Sequence, residues 1–154
     1  MDDSPGFYDY LQLNNSMDQL YHQIAVELGL PDSVLSLLYT LWEEGDGLTP
    51  SLLYNEWTLT KQTGHSGLMW LKSRGFVRLI PGREDRRSKT VSLTDRGREY
   101  ARQVIVPLIQ AEERAFQTLA PREQTALISL TEKTLCKLKE EMAALDLSAK
   151  KALL

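Results

Sequence analysis

Between Lys61 and Arg102 the chain carries eleven Lys and Arg against four acids, whereas the residues before Lys61 hold ten acids and no Lys or Arg at all. After Arg102 seven bases meet seven acids. Polyanion binding follows the local field rather than net charge. A formal charge of −3 and a pI near 5.4 therefore leave a nucleic-acid partner open. Two groups of residues in or beside the basic stretch have recognition chemistry. Thr60, Lys61, Gln62 and Thr63, followed by His65 and Ser66, open a helical segment with polar side chains. From there Gln62 can pair with adenine, and Lys61 with guanine or phosphate. Arg83, Arg86 and Arg87, with Lys89 just beyond, cluster in a polar stretch between two β-type runs. Arginines at the end of a stiff ribbon can enter the minor groove and its negative potential. Asp85 can hold one of these guanidinium groups in a fixed direction through paired hydrogen bonds.

The elements that must position these groups are mostly helical. Apolar residues three or four apart give a first helix from Phe7 to Leu28, stopped by Gly29. A second follows Pro31 through Trp42 to the Gly45-Asp46-Gly47 turn. Thr49 and Pro50 are a cap-and-start signal for a short third helix to about Trp57. Thr60 caps a fourth, from Lys61 to Arg74 before Gly75. The pattern then changes to two β-branched runs, Phe76 to Ile80 and Lys89 to Leu93, with residues 81–88 as a hairpin tip. Thr94 caps a long helix to about Thr118, which Pro107 should kink. Pro121 opens a last helix with Ala126, Leu127, Leu130, Leu135, Leu138 and Met142 on its apolar side. The fold class expected is mainly α with a small β-hairpin wing. Two short helices joined by a tight turn, then a hairpin, are how a recognition helix and a wing are delivered to DNA.

Other classes of function find little support. The 154 residues, 42% hydrophobic and 25% charged, suit one folded domain. The single Cys136 excludes an intrachain disulfide and reads as inert, and His22 and His65 are too few for a metal cage. No cofactor is implied. An enzyme would need a nucleophile with a base, paired carboxylates or a metal set, and Glu43-Glu44 and Glu140-Glu141 read as solvated surface. The chain lacks a membrane-spanning apolar run and a signal peptide's basic start, so a cytoplasmic location is the expectation.

Leu48 to Leu53, Leu59 to Thr63, Leu71 to Val77 and Asp85 to Gly97 together resemble the MarR family of winged helix-turn-helix regulators. The firmest element is Asp-x-Arg followed by Val-x-Leu-Thr-x-x-Gly. The resemblance implies a homodimer that binds a near-palindromic operator in double-stranded DNA, usually as a repressor. It implies that Arg87 enters the minor groove with Asp85 orienting it, and that Thr60, Lys61, Gln62, Thr63, His65 and Ser66 face the major groove. Within one domain spanning 1–154, residues 31–96 would form the DNA-binding lobe, with 5–28 and 97–145 as dimerisation helices. A small aromatic or anionic effector would bind near the junction, where Tyr21, His22 and Trp42 are the candidates.

Four positions depart from the family pattern. Tyr54 stands where a small Ala is usual, Thr58 where the turn has Gly, and Gly64 and Gly67 where the recognition helix packs Val and Leu. Because the Ala and Val sites face each other in this motif, Tyr54 opposite Gly64 reads as a size exchange that conserves volume. Helical glycine costs about 0.5–1 kcal/mol relative to alanine, so two of them predict a locally loose recognition helix. The altered core and the acidic first segment favour a rival reading, a winged helix that docks on a protein partner or acts as an antirepressor.

Overall fold

The computed structural model describes residues 5–81 and 89–145. Its elements are α1 (Phe7–Glu27), α2 (Asp32–Glu43), α3 (Pro50–Glu56), α4 (Lys61–Ser73), β1 (Val77–Pro81), β2 (Lys89–Leu93), α5 (Asp95–Phe116) and α6 (Pro121–Ala143). The expected order and type of every element hold, with ends displaced by a residue or two. They form two compact units, Met1–Pro107 and Leu108–Leu154. Helix α1 belongs to the first unit, with the helix-turn-helix and the hairpin.

The core of the first unit is built around α2, whose Val34, Leu35, Leu37, Leu38 and Leu41 are all buried. A helix this apolar on several sides must be central rather than superficial. Leu53 of α3, Leu68 and Leu71 of α4, and Val91 and Leu93 of β2 close around it. At 25–30 cal/mol per Å² of apolar area, each fully buried Leu contributes about 1.5–3 kcal/mol.

Helix α3 has only seven residues, too few to persist without help at its ends. Thr49 caps its start by accepting from the Leu52 amide at 3.4 Å. Its end is closed by two bonds, from Leu59 N–H to the Tyr54 carbonyl (2.9 Å) and from Thr58 N–H to the Asn55 carbonyl (3.1 Å). That pair is a Schellman closure, which needs its first residue beyond the helix in the left-handed region. Thr58 holds that place with φ 52°, the one non-glycine residue at positive φ among those described. The bonding dictated by the turn thus overrides the preference of a β-branched residue.

The hairpin is antiparallel, with Val77 opposite Leu93, Leu79 opposite Val91 and Pro81 opposite Lys89. A third short rung was not expected: Leu48 bridges to Val91, through Gly47 N–H to the Val91 carbonyl (3.0 Å) and Val91 N–H to the Leu48 carbonyl (2.8 Å). Asp46 reinforces it. One carboxylate oxygen accepts from the Leu93 amide at 2.9 Å, the other from Arg98 on α5 at 2.8 Å. The segment read as a simple turn is therefore a clasp fixing the base of the wing.

Thr94 caps α5 by accepting from the Gly97 amide at 3.0 Å, and the helix continues through Pro107 as one element. At the start of α6, Glu123 reaches back to accept from the Ala120 amide at 2.7 Å. No residue of α6 is buried. Leu127, Leu130, Leu135 and Met142 are exposed on α6, as are Phe7, Leu11, Met17 and Leu20 on α1.

Candidate nucleic-acid interface

The orientation of α4 is decided by its inner face. Gly64, Gly67, Leu68 and Leu71 are its buried residues. A Cβ added to Gly64 would lie 2.3 Å from Tyr54 Cδ1 and 2.5 Å from Cγ. One added to Gly67 would lie 2.9 Å from Ser33 Oγ and 3.0 Å from Leu37 Cδ1. Both glycines are points of close helix packing, so the expected looseness gives way to tight seating on α2 and α3. Tyr54, only 7% exposed, fills the space that Gly64 leaves. Its phenol pKa is raised by that burial.

With about 100° between successive residues, Gln62 and Ser66 lie opposite this seam and Lys61 and His65 on its flank, all exposed. Lys72 is exposed on the same flank as Lys61 and His65. None of these five side chains is spent on an ion pair within the chain, among the described residues. Thr60 and Thr63 differ. Thr60 Oγ1 accepts from the Thr63 amide at 3.1 Å and donates to Thr63 Oγ1 at 2.8 Å. They hold the helix start. All six residues are exposed, and two of them, Thr60 and Thr63, also form the helix cap.

The wing delivers the chain to its tip at Pro81 and Lys89, and Lys89 is exposed. Arg83, Asp85, Arg86 and Arg87 lie outside the described residues. Four of the other bases serve the lobe itself. Arg98 pairs with Asp46 at 2.8 Å and Arg102 with Glu99 at 2.7 Å. Hydrogen bonds from Arg102 and then Gln103 lower the Glu99 carboxyl to about 2. Arg74 lies 4.5 Å from the centre of the Trp70 ring and Arg96 5.3 Å from that of Phe76, which itself stacks on Tyr100 at 4.5 Å.

A cleft of about 140 Å³ opens in the same unit, lined by Asp18, Tyr21, His22, Asp32, Leu35, Ser36, Tyr39 and Trp57. Tyr21 and His22 were effector candidates and do line it. Trp42, the third, does not; it is half-buried along α2. Trp57 lines it as well. It is the C-cap residue of α3, at the end of the stretch read as helical, where spacing fixes no direction for a ring.

No protein-family model matches the sequence, and no curated protein matches it. Solved structures match in fold. A MarR family regulator from Neisseria meningitidis is 23% identical, with 90% of this chain and 98% of that one covered at a TM-score of 0.75. Wild-type MarR from E. coli, in its apo form, is 20% identical, with 88% and 99% covered and a TM-score of 0.65. A mutant MepR from S. aureus bound to an oligodeoxyribonucleotide is 20% identical, with 88% and 99% covered and a TM-score of 0.53. The six helices and one hairpin described above are therefore the winged-helix fold of solved MarR family regulators.

Proposed function

We propose that this chain is a MarR-type transcriptional regulator that binds double-stranded DNA as a homodimer. On this reading it represses from a near-palindromic site, acts in the cytoplasm without catalysing a reaction, and responds to a small-molecule effector. The observation that carries it is the division of α4. Its glycine-lined side is sunk against Tyr54, Ser33 and Leu37, which leaves Lys61, Gln62, His65 and Ser66 together on an exposed outer face. A helix seated this firmly, beside a hairpin whose described end carries the exposed Lys89, suits insertion into the major groove with minor-groove contact alongside. The oligodeoxyribonucleotide bound to a protein of the same fold supports the same partner.

The homodimer rests on apolar surface. Leu130 is 62% exposed and Leu20 59%, with further apolar side chains beside each, more than isolated surface residues would require. Two lobes held one helical turn of DNA apart impose a two-fold symmetric site. The rival reading, a protein-docking module, drew on the altered helix-turn-helix core and on the acidic first segment. Tyr54 against Gly64 makes that core a repacked one, so the alteration no longer argues for lost DNA binding.

Selection of bound sequences from a random duplex pool, followed by affinities across a salt series, tests the reading. A symmetric consensus and a steep fall in affinity between low and physiological salt are expected. Lys61→Ala should lower the slope by about one, and Arg87→Ala should weaken binding by about 1–3 kcal/mol. Absence of binding even at low salt would refute DNA recognition and leave the docking module standing.

A further inference from the structure

We propose that the cleft between α1, α2 and the end of α3 binds a small organic cation. This narrows the effector of the reading above to a chemical class, while the site itself can be tested without DNA. Three rings wall the cleft, and Trp57 meets both tyrosines edge-on rather than stacked. Its ring centre is 6.5 Å from Tyr21 at 63° and 5.8 Å from Tyr39 at 77°. Its indole N–H donates to Thr40 Oγ1 at 2.7 Å, and Thr40 in turn donates to the Ser36 carbonyl. Trp57 is nevertheless 40% exposed. An indole anchored in this way and still half-open leaves ring surface for a cation, with little ordering left to do.

The charges of the lining point the same way. Asp18 and Asp32 both border the cleft. His22 Nδ1 lies 3.0 and 2.9 Å from the two oxygens of Asp32, whereas Asp18 has no ion pair among the described residues. A neighbouring hollow of about 310 Å³ shares Tyr39 and Trp57 and adds Glu43, Glu44 and Glu56. No Lys or Arg occurs before Lys61, and among the described residues none borders either hollow. An anionic effector would meet several carboxylates and no fixed positive charge. A neutral aromatic would gain the rings alone. A quaternary or protonated amine gains both rings and carboxylates, and the cleft's volume suits a head group rather than a large ring system.

Titration of the full-length protein with three probes decides the matter, read by calorimetry and by the Trp57 indole N–H resonance. Choline is the cation, 3,3-dimethylbutan-1-ol its uncharged isostere, and benzoate the anion. Choline should bind at least about tenfold more tightly than the alcohol, move the Trp57 resonance, and outcompete benzoate. Asp18→Asn, at an exposed position that leaves the fold intact, should weaken choline about three- to tenfold. Trp57→Leu should weaken it further. Equal binding of choline and the alcohol, tighter binding of benzoate, no choline binding, or choline binding indifferent to Asp18→Asn would each overturn the proposal. These readouts use DNA-free protein, so a failure to bind DNA leaves them untouched. Choline binding without DNA binding would keep the site and remove the regulator reading.

Discussion

Substitution of Gly64 probes the packing on which the recognition face depends. An alanine there would put its Cβ 2.3, 2.5 and 2.8 Å from three atoms of the Tyr54 ring. Ordinary contact begins near 3.4 Å, so ring and helix must part by roughly an ångström. The clash falls at the root of the ring, and Tyr54 is 7% exposed, so no easy rotamer relieves it. Overpacking of this kind costs about 1–3 kcal/mol. Replacing a helical glycine by alanine returns about 0.5–1 kcal/mol. The net expectation for Gly64→Ala is a loss of about 1–2 kcal/mol, or roughly 3–8 °C in Tm for a chain this long. Gly64→Val should cost more. Tyr54→Ala alone should cost about 3–5 kcal/mol through the cavity it opens, as for other buried aromatics. The double variant Tyr54→Ala/Gly64→Val restores the usual small-against-large pairing. It should be more stable than the sum of the single losses by about 1–3 kcal/mol. Urea unfolding followed by far-UV circular dichroism, at one protein concentration so that association is held constant, measures all four corners. Strict additivity, or a Gly64→Ala protein as stable as the parent, would refute the exchange of size between these positions.

Three further outcomes rest on other contacts. Gly97→Ala would set a Cβ 1.8 Å from the Phe76 carbonyl oxygen; because that neighbour is backbone, a loss above about 3 kcal/mol is expected, visible as a collapsed urea midpoint. Thr58→Gly relieves about 1–2 kcal/mol of left-handed strain and gives back about 0.5–1 kcal/mol of chain entropy, so a slight rise in Tm should appear by calorimetry. Asp46→Ala leaves the part-buried Leu93 amide without its acceptor and should cost about 1–3 kcal/mol, with faster hydrogen exchange at Leu93 and Val91 as its local signature.

What could be read from the sequence was what local chemistry determines. Thr49, Thr60 and Thr94 were each identified as caps, and each accepts from an amide of the following turn. The β2 strand, Lys89 to Leu93, matches its expected bounds. The partnership of Tyr54 with Gly64 was also legible, because an oversized and an undersized residue occupied facing positions of a recognisable motif. The Asp46 clasp was not. Its partners lie 47 and 52 residues away, and no periodicity links an acid between two glycines to a strand amide so distant. Trp42 and Trp57 could not be ranked for the same reason. The helical period tells that Trp42 is near the core, but says nothing of a ring beyond the end of α3.

The surplus of positive charge between Lys61 and Arg102 overstates what a phosphate would meet. Arg98 and Arg102 are matched by Asp46 and Glu99, while Arg74 and Arg96 lie over aromatic rings of the lobe. Such exposed pairs add little stability, yet each partly neutralises a charge that a simple count treats as available. The unpaired and exposed cations among the described residues of this stretch are Lys61 and Lys72 on α4, Arg78 on β1 and Lys89 at the mouth of the hairpin. They belong to the helix and the ribbon, not to α5. Five of the ten acids of the first segment, Asp18, Asp32, Glu43, Glu44 and Glu56, line the cleft and the hollow beside it instead. Within one unit of a net-negative chain, opposite charges thus gather on different surfaces, and with a Debye length near 8 Å at physiological salt each surface keeps its own sign.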